Sequence, residues 1–139
     1  MNQIDLQGRT AIVTGGAQGI GRAVRFTPHL VPMTRGIHAT SHVPVSAGTT
    51  KESLRDLFRS FYEGAKFVRV VATSPSTQQV QGSNRCDIYV DYDDRTQMAI
   101  VISVIDNLVK GMAGEAIQNL NLMAGLPEET GLPVDAVWP

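Results

Sequence analysis

Arg85-Cys86-Asp87-Ile88-Tyr89-Val90-Asp91-Tyr92 and Gln97-Met98-Ala99-Ile100-Val101-Ile102-Ser103-Val104-Ile105 are two alternating, β-branched runs separated by Asp93-Asp94-Arg95-Thr96. Their period is that of a strand, and the polar residues between them suit a tight turn, so together they predict a β-hairpin and an antiparallel sheet. Two more strands are expected at residues 37–43, bounded by Gly36 and Pro44, and at residues 67–72. Between those strands a helix is predicted over residues 50–62. Thr49 and Glu52 have capping-box spacing, Leu54, Leu57, Phe58 and Phe61 supply its apolar face, and Gly64 is placed to end it. A last helix is expected over residues 108–124, with Asp106 or Asn107 as its cap and Gly125 as its stop. Its Ala113, Ile117, Leu120 and Met123 are expected to line the sheet, and residues 126–139, with three prolines, read as an extended tail. The fold class is therefore α+β: a mostly antiparallel sheet with helices on one face.

The amino-terminal residues follow a different pattern. Arg9-Thr10-Ala11-Ile12-Val13-Thr14 reads as a short buried strand, and Thr14-Gly15-Gly16-Ala17-Gln18-Gly19-Ile20-Gly21 follows at once. Gly15, Gly19 and Gly21 stand at TGxxxGxG spacing, in which glycines permit a tight turn and bring backbone N–H groups at a helix start close to a pyrophosphate. This stretch, about residues 6–24, resembles the start of the short-chain dehydrogenase/reductase family. It implies a Rossmann-like βα stub with Thr14, Gly15, Gly19, Ile20 and Gly21 at a nucleotide. The pattern then stops. Pro28 and Pro32 end any helix begun at Gly19, and no Asp or Glu lies between Asp5 and Glu52 to hold a ribose. Residues 1–24 are accordingly expected to form the stub and residues 25–139 the remaining domain, as one folded unit.

A longer resemblance covers residues 26–132. Phe26-Thr27-Pro28-His29-Leu30-Val31-Pro32-Met33-Thr34-Arg35-Gly36-Ile37, Phe67-Val68-Arg69-Val70, Gly82-Ser83-Asn84 and Ser103-Val104-Ile105-Asp106-Asn107-Leu108-Val109-Lys110-Gly111 stand in order. Gln118-Asn119-Leu120-Asn121-Leu122-Met123 and Gly125-Leu126-Pro127-Glu128 follow them. These blocks resemble the carboxy-terminal part of N-acetyl-gamma-glutamyl-phosphate reductase. The resemblance implies the glyceraldehyde-phosphate-dehydrogenase-like sheet, NADP as cofactor and a place in arginine biosynthesis. It also implies that Asn107 is an amide contact to the nicotinamide and Lys110 an anion contact. The family's nucleophilic Cys and its acid/base His belong upstream of Phe26, so no catalytic residue is assigned here.

Single residues that mimic chemistry read more simply. Tyr62 and Lys66 fit a YxxxK pattern, but Gly64 between them ends the helix that would have to present both, and the interval from Gly21 is too short for the sheet such an enzyme requires. Cys86 lies in an alternating strand segment without the cationic or helix-terminal setting that activates a thiolate. His38 and His42 share a strand face, with no Cys, Asp or Glu near in sequence to complete a metal site. His29 reads as an ordinary loop or packing residue.

At 139 residues and 42% hydrophobic content, the chain suffices for one core. Its net charge of -1 gives no pull toward nucleic acid or a membrane surface. The charge is divided: residues 1–51 sum to +4 and residues 52–139 to -5. One cysteine excludes an internal disulfide framework, and no secretory or membrane-spanning segment is evident, so a cytoplasmic protein is expected. The sheet would have one face and one edge bare, which predicts a homo-oligomer. Three functional expectations follow: a truncated or chimeric relative of the NADP-dependent reductase without its own catalysis, a non-catalytic oligomerising remnant, or a short-chain-dehydrogenase-like nucleotide binder.

Overall fold

The computed structural model describes residues 29–137. The chain divides into two compact units, residues 1–32 and residues 33–139, and every element below belongs to the second. The glycine loop, with Thr14, Gly15, Gly19, Ile20 and Gly21, lies outside the described residues, as does the βα stub.

The second unit is an α+β fold. Its strands are β1 (Ile37–Pro44), β2 (Val68–Val70), β3 (Cys86–Asp93) and β4 (Met98–Ile105), in the spatial order β1-β4-β3-β2. β4 pairs antiparallel with β3 through the expected hairpin and with β1 on its other side, while the short β2 runs parallel to β3. In the hairpin turn, Asp93 accepts the Arg95 N–H at 3.0 Å and the Thr96 hydroxyl at 2.7 Å.

Because directly paired residues share a face, the register sorts the side chains. One face carries Ile88 and Val90 from β3 and Ala99 and Val101 from β4, and Leu54 of helix α1 (Lys51–Phe61) closes over them as one buried cluster. Burying a Leu or Val side chain is worth about 2 kcal/mol, so this cluster is the main apolar support of the sheet. The opposite face carries His38, Thr40 and His42 from β1, Ile100 and Ile102 from β4, and Tyr89 and Asp91 from β3.

Helix α1 begins one residue later than its spacing predicted. Thr50, not Thr49, is the cap: its hydroxyl accepts the Ser53 N–H at 3.1 Å, and Ser53 Oγ accepts the Thr50 N–H at 3.0 Å. Thr49 instead donates its hydroxyl back to the Ser46 carbonyl. Leu57 and Phe61 are solvent-exposed, since only Leu54, Phe58 and Tyr62 reach the sheet cluster. Gly64, at φ +79°, follows the helix end and Lys66 lies beyond it, so Tyr62 and Lys66 do not share a helix.

The last helical segment differs more. It opens with a π-helical turn, Val109–Ala113, and continues as α2 (Gly114–Met123). Ala113, Ile117, Leu120 and Met123 do not line the sheet. They are exposed, and the buried residues of α2 are Gly114 and Asn121. The tail is tied down rather than extended: the Asn121 amide donates to the carbonyls of Glu128 and Thr130, Pro133 accepts the Asn84 N–H, and the Val137 N–H donates to the Gln81 carbonyl. A short 3-10 turn, Thr77–Val80, was not anticipated. No helix of the described residues is long and apolar enough to cross a membrane.

Candidate functional site

At the end of β4 the chain turns through Asp106 and Asn107, and three separate segments converge there. Asp106 is completely buried. Its Oδ1 accepts the N–H groups of Leu108 at 2.8 Å and Val109 at 3.1 Å, which makes it the cap of the helical turn that follows. Its Oδ2 accepts the Gly82 N–H at 2.6 Å, and the Arg35 guanidinium reaches both oxygens, at 3.1 and 2.8 Å. Burial alone would raise this carboxyl's pKa. The Gly82 N–H, Arg35 and the two capping N–H groups outweigh burial and hold it below the ordinary value.

Asn107 uses its side-chain oxygen to accept the Gly36 N–H at 2.7 Å, leaving its amide Nδ2 without a hydrogen-bond partner among the described residues. Gly36 sits at φ +105°, and a Cβ on it would lie 2.5 Å from Thr77 Cβ, so only glycine brings the chain this close. The Asp106 and Asn107 side chains thus clamp the residues before β1 to the turn after β4.

Lys110 is placed differently from an open anion contact. Its ammonium is held by Glu115 at 2.7 Å and by the Gln118 side-chain oxygen at 2.6 Å, and it lies over the Phe67 ring at 6.0 Å. That same Gln118 oxygen accepts from the buried Asn84 amide at 2.8 Å. Asn84 in turn leaves no room for a Cβ at Gly114. The Lys110 charge is therefore already paired inside the fold.

Cys86 sits in β3 beside this network. Burial first, and the neighbouring Asp87 charge second, push its thiol up to about 11 against a smaller opposing effect of Lys110, so the thiol stays protonated at neutral pH. His38 and His42 are exposed on β1, and His29 belongs to the other unit. Among the described residues no group of three or more His, Cys, Asp or Glu is placed to hold a metal ion. A polar cleft of about 380 Å³ lies apart from the Asp106 turn, between Arg69, Arg85, Asp87 and Asp135. Its guanidiniums are engaged: Arg69 makes a two-pronged pair with Asp87, and Arg85 donates to the Gln79 carbonyl.

Arg35, Gly82 and Gln118 are the site residues that sequence reasoning did not assign. Each lay within a quoted block, but their pairing across distant positions leaves no periodic trace.

A family model, semialdehyde dehydrogenase, dimerisation domain, matches residues 13–107. The chain belongs to this family. Its start at residue 13 takes in the whole glycine loop, and its end at residue 107 takes in the whole sheet but not α2. Among curated relatives, N-acetyl-gamma-glutamyl-phosphate reductase of Thermus thermophilus is 52% identical over 141 aligned residues, covering 100% of this chain and 40% of that protein. The reductase of the same name from Symbiobacterium thermophilum is 56% identical over 130 residues, 92% of this chain and 34% of that protein. The chain thus spans 40% or less of the length of these curated relatives. Aspartate semialdehyde dehydrogenase II from Vibrio cholerae shares the fold, with a TM-score of 0.55 at 22% identity over 68% of this chain and 29% of that one.

Proposed function

We propose that this chain is the dimerisation portion of an N-acetyl-gamma-glutamyl-phosphate reductase, and that its Asp106–Asn107 turn meets the nicotinamide end of NADP(H). The observation that carries the reading is the unclaimed Asn107 amide, fixed in place by the Gly36 N–H beside a fully satisfied buried Asp106, in a chain 52% identical to a reductase of that name. A carboxamide held this way suits the carboxamide of a nicotinamide. When bound, that cofactor supplies hydride chemistry. The residues here orient it, and Lys110, paired internally, keeps the helical turn in place rather than meeting an anion. Cys86 is a partly buried strand residue in this reading and not a nucleophile. The isolated chain then performs no reduction of an acyl phosphate, and what it retains is self-association through the sheet with weak cofactor contact.

A fluorescence titration of the full chain with NADPH and NADH tests the cofactor reading. Binding is expected near millimolar, tighter for NADPH and weakening with salt, because exposed phosphate contacts are screened within about 10 Å at 0.1 M. Asn107→Ala should weaken it about tenfold. A folded chain that gives no signal with either cofactor at millimolar concentration would remove the reading.

A further inference from the structure

We propose that the cleft walled by β2, the 3-10 turn, the start of β3 and the carboxy-terminal tail binds a free α-amino acid, its carboxylate at Arg85 and its ammonium at Asp135. The cleft holds about 380 Å³ and has four charged residues in its walls, Arg69, Arg85, Asp87 and Asp135. Two of them cancel. Arg69 donates through Nε and Nη2 to the two oxygens of Asp87, at 2.9 and 2.5 Å, and Asp87 is fully buried, so this pair is spent on the fold. Arg85 and Asp135 are left, with opposite signs. Among the described residues neither is in an ion pair, with the other or with any third group, although Arg69 lies near enough to feel the Asp135 charge.

Their unused polar atoms fit the two ends of one ligand. On the Arg85 guanidinium only Nη2 is engaged, by the Gln79 carbonyl at 2.9 Å, and Nε is buried without a partner. Gln79 spends its side-chain oxygen on the Ser76 N–H at 2.9 Å, which leaves its amide as a second donor. The Thr73 hydroxyl and the Asp135 carboxylate, also in the walls, have no hydrogen-bond partner among the described residues. A bare oxyanion would meet Asp135 and a bare cation Arg85, and the four wall charges sum to zero, so neither is favoured. A ligand with one carboxylate and one ammonium satisfies both. Val71 and Ala136 are the aliphatic part of the lining and suit a small neutral side chain. The wall that carries Asp135 is already in place: the Val137 N–H donates to the Gln81 carbonyl at 3.0 Å, and Val137 packs so closely on Gly82 that a Cβ there would meet it at 2.9 Å. A preformed wall lowers the ordering cost of binding.

An amide chemical-shift titration of the full chain with L-valine and L-glutamine tests this, with circular dichroism as a folding control. N-acetyl-L-glutamine, which lacks the ammonium, and L-glutamine amide, which lacks the carboxylate, are the comparison probes. Saturable shifts at Thr73 and Ala136 are expected at millimolar amino acid, and each blocked form should bind at least about tenfold more weakly, because each forfeits a hydrogen bond between charged groups. Asp135→Asn, on the exposed tail, should keep the fold and erase the preference for free over N-acetylated glutamine. Arg85→Gln should erase the preference for the free carboxylate, and Asp135→Asn decides alone if that variant does not fold. No saturable shift with either amino acid at millimolar concentration overturns the site. Equal binding of free and N-acetylated glutamine to the unmodified chain, or inorganic phosphate binding more tightly than either amino acid, overturns the zwitterionic ligand.

Discussion

Asp106→Asn isolates what holds the candidate site together. The wild-type carboxylate is wholly buried and takes three backbone N–H groups and the Arg35 guanidinium on two oxygens. An asparagine can keep its oxygen over the Leu108 and Val109 N–H groups, but its amide then replaces Oδ2 and meets two donors, the Gly82 N–H and Arg35. A buried donor left without an acceptor costs about 1–3 kcal/mol. The lost ion pair adds about 1 kcal/mol, discounted because the Arg35 side chain is 31% exposed. The sum is about 3 kcal/mol, or about 10 °C in Tm for a domain of this size. Urea unfolding at pH 7 measures it. The same assay in acid adds a sign. The folded-state pKa of Asp106 is depressed, so its contribution is complete above the unfolded value of about 3.9 and is lost as pH falls through the lower folded one. Between pH 5 and pH 3 wild type should therefore lose more stability than Asp106→Asn, and the two should converge. A variant within about 0.5 kcal/mol of wild type at pH 7, or parallel acid profiles, would refute the assignment of Asp106 as the structural centre of the site.

Two further outcomes are expected. Gly114→Ala should cost about 2 kcal/mol in the same unfolding assay, because its Cβ would press on Asn84 Oδ1 and lie 2.7 Å from the Val109 carbonyl oxygen, whereas Gly111→Ala, with nothing nearer than 3.5 Å, should be close to neutral. Cys86, with its thiol pushed up to about 11, should react with a disulfide reagent at pH 8 at least about 100-fold more slowly in the native chain than after unfolding, and equal rates would refute its partly buried, protonated state.

The sheet was legible because its signals are local: alternation in residues 85–92 and 97–105, a polar turn between them, and Gly36 and Pro44 around β1. The last helix was misread for a physical reason. Periodicity shows that Ile117, Leu120 and Met123 share a side, but it does not say what that side meets, and the face that is buried here carries Gly114 and Asn121 instead. Asn121 is satisfied by the carbonyls of Glu128 and Thr130, so a polar residue anchors the helix where an apolar one was expected. The capping error at Thr49 has a similar origin, since a serine hydroxyl serves at the third helical position as well as a carboxylate, and Thr50-Ser53 competes with Thr49-Glu52 on equal terms.

The candidate site divides along the same line. Asp106 and Asn107 were visible as cap candidates, yet their main partners come from other segments: Arg35 and Gly36 were knowable only once β1 had paired with β4, and Gly82 only once β3 had. That pairing places Ile37 opposite Ile105, which brings the residue before β1 beside the residues after β4 and makes the clamp a product of sheet register. The turn is consequently built by the fold: both carboxylate oxygens of Asp106 accept from protein donors, and Asn107 spends its oxygen on the same clamp. The Asn107 amide is left without a hydrogen-bond partner among the described residues. A turn so divided keeps its shape by itself, because the groups that form it contribute to stability whether or not any reaction takes place.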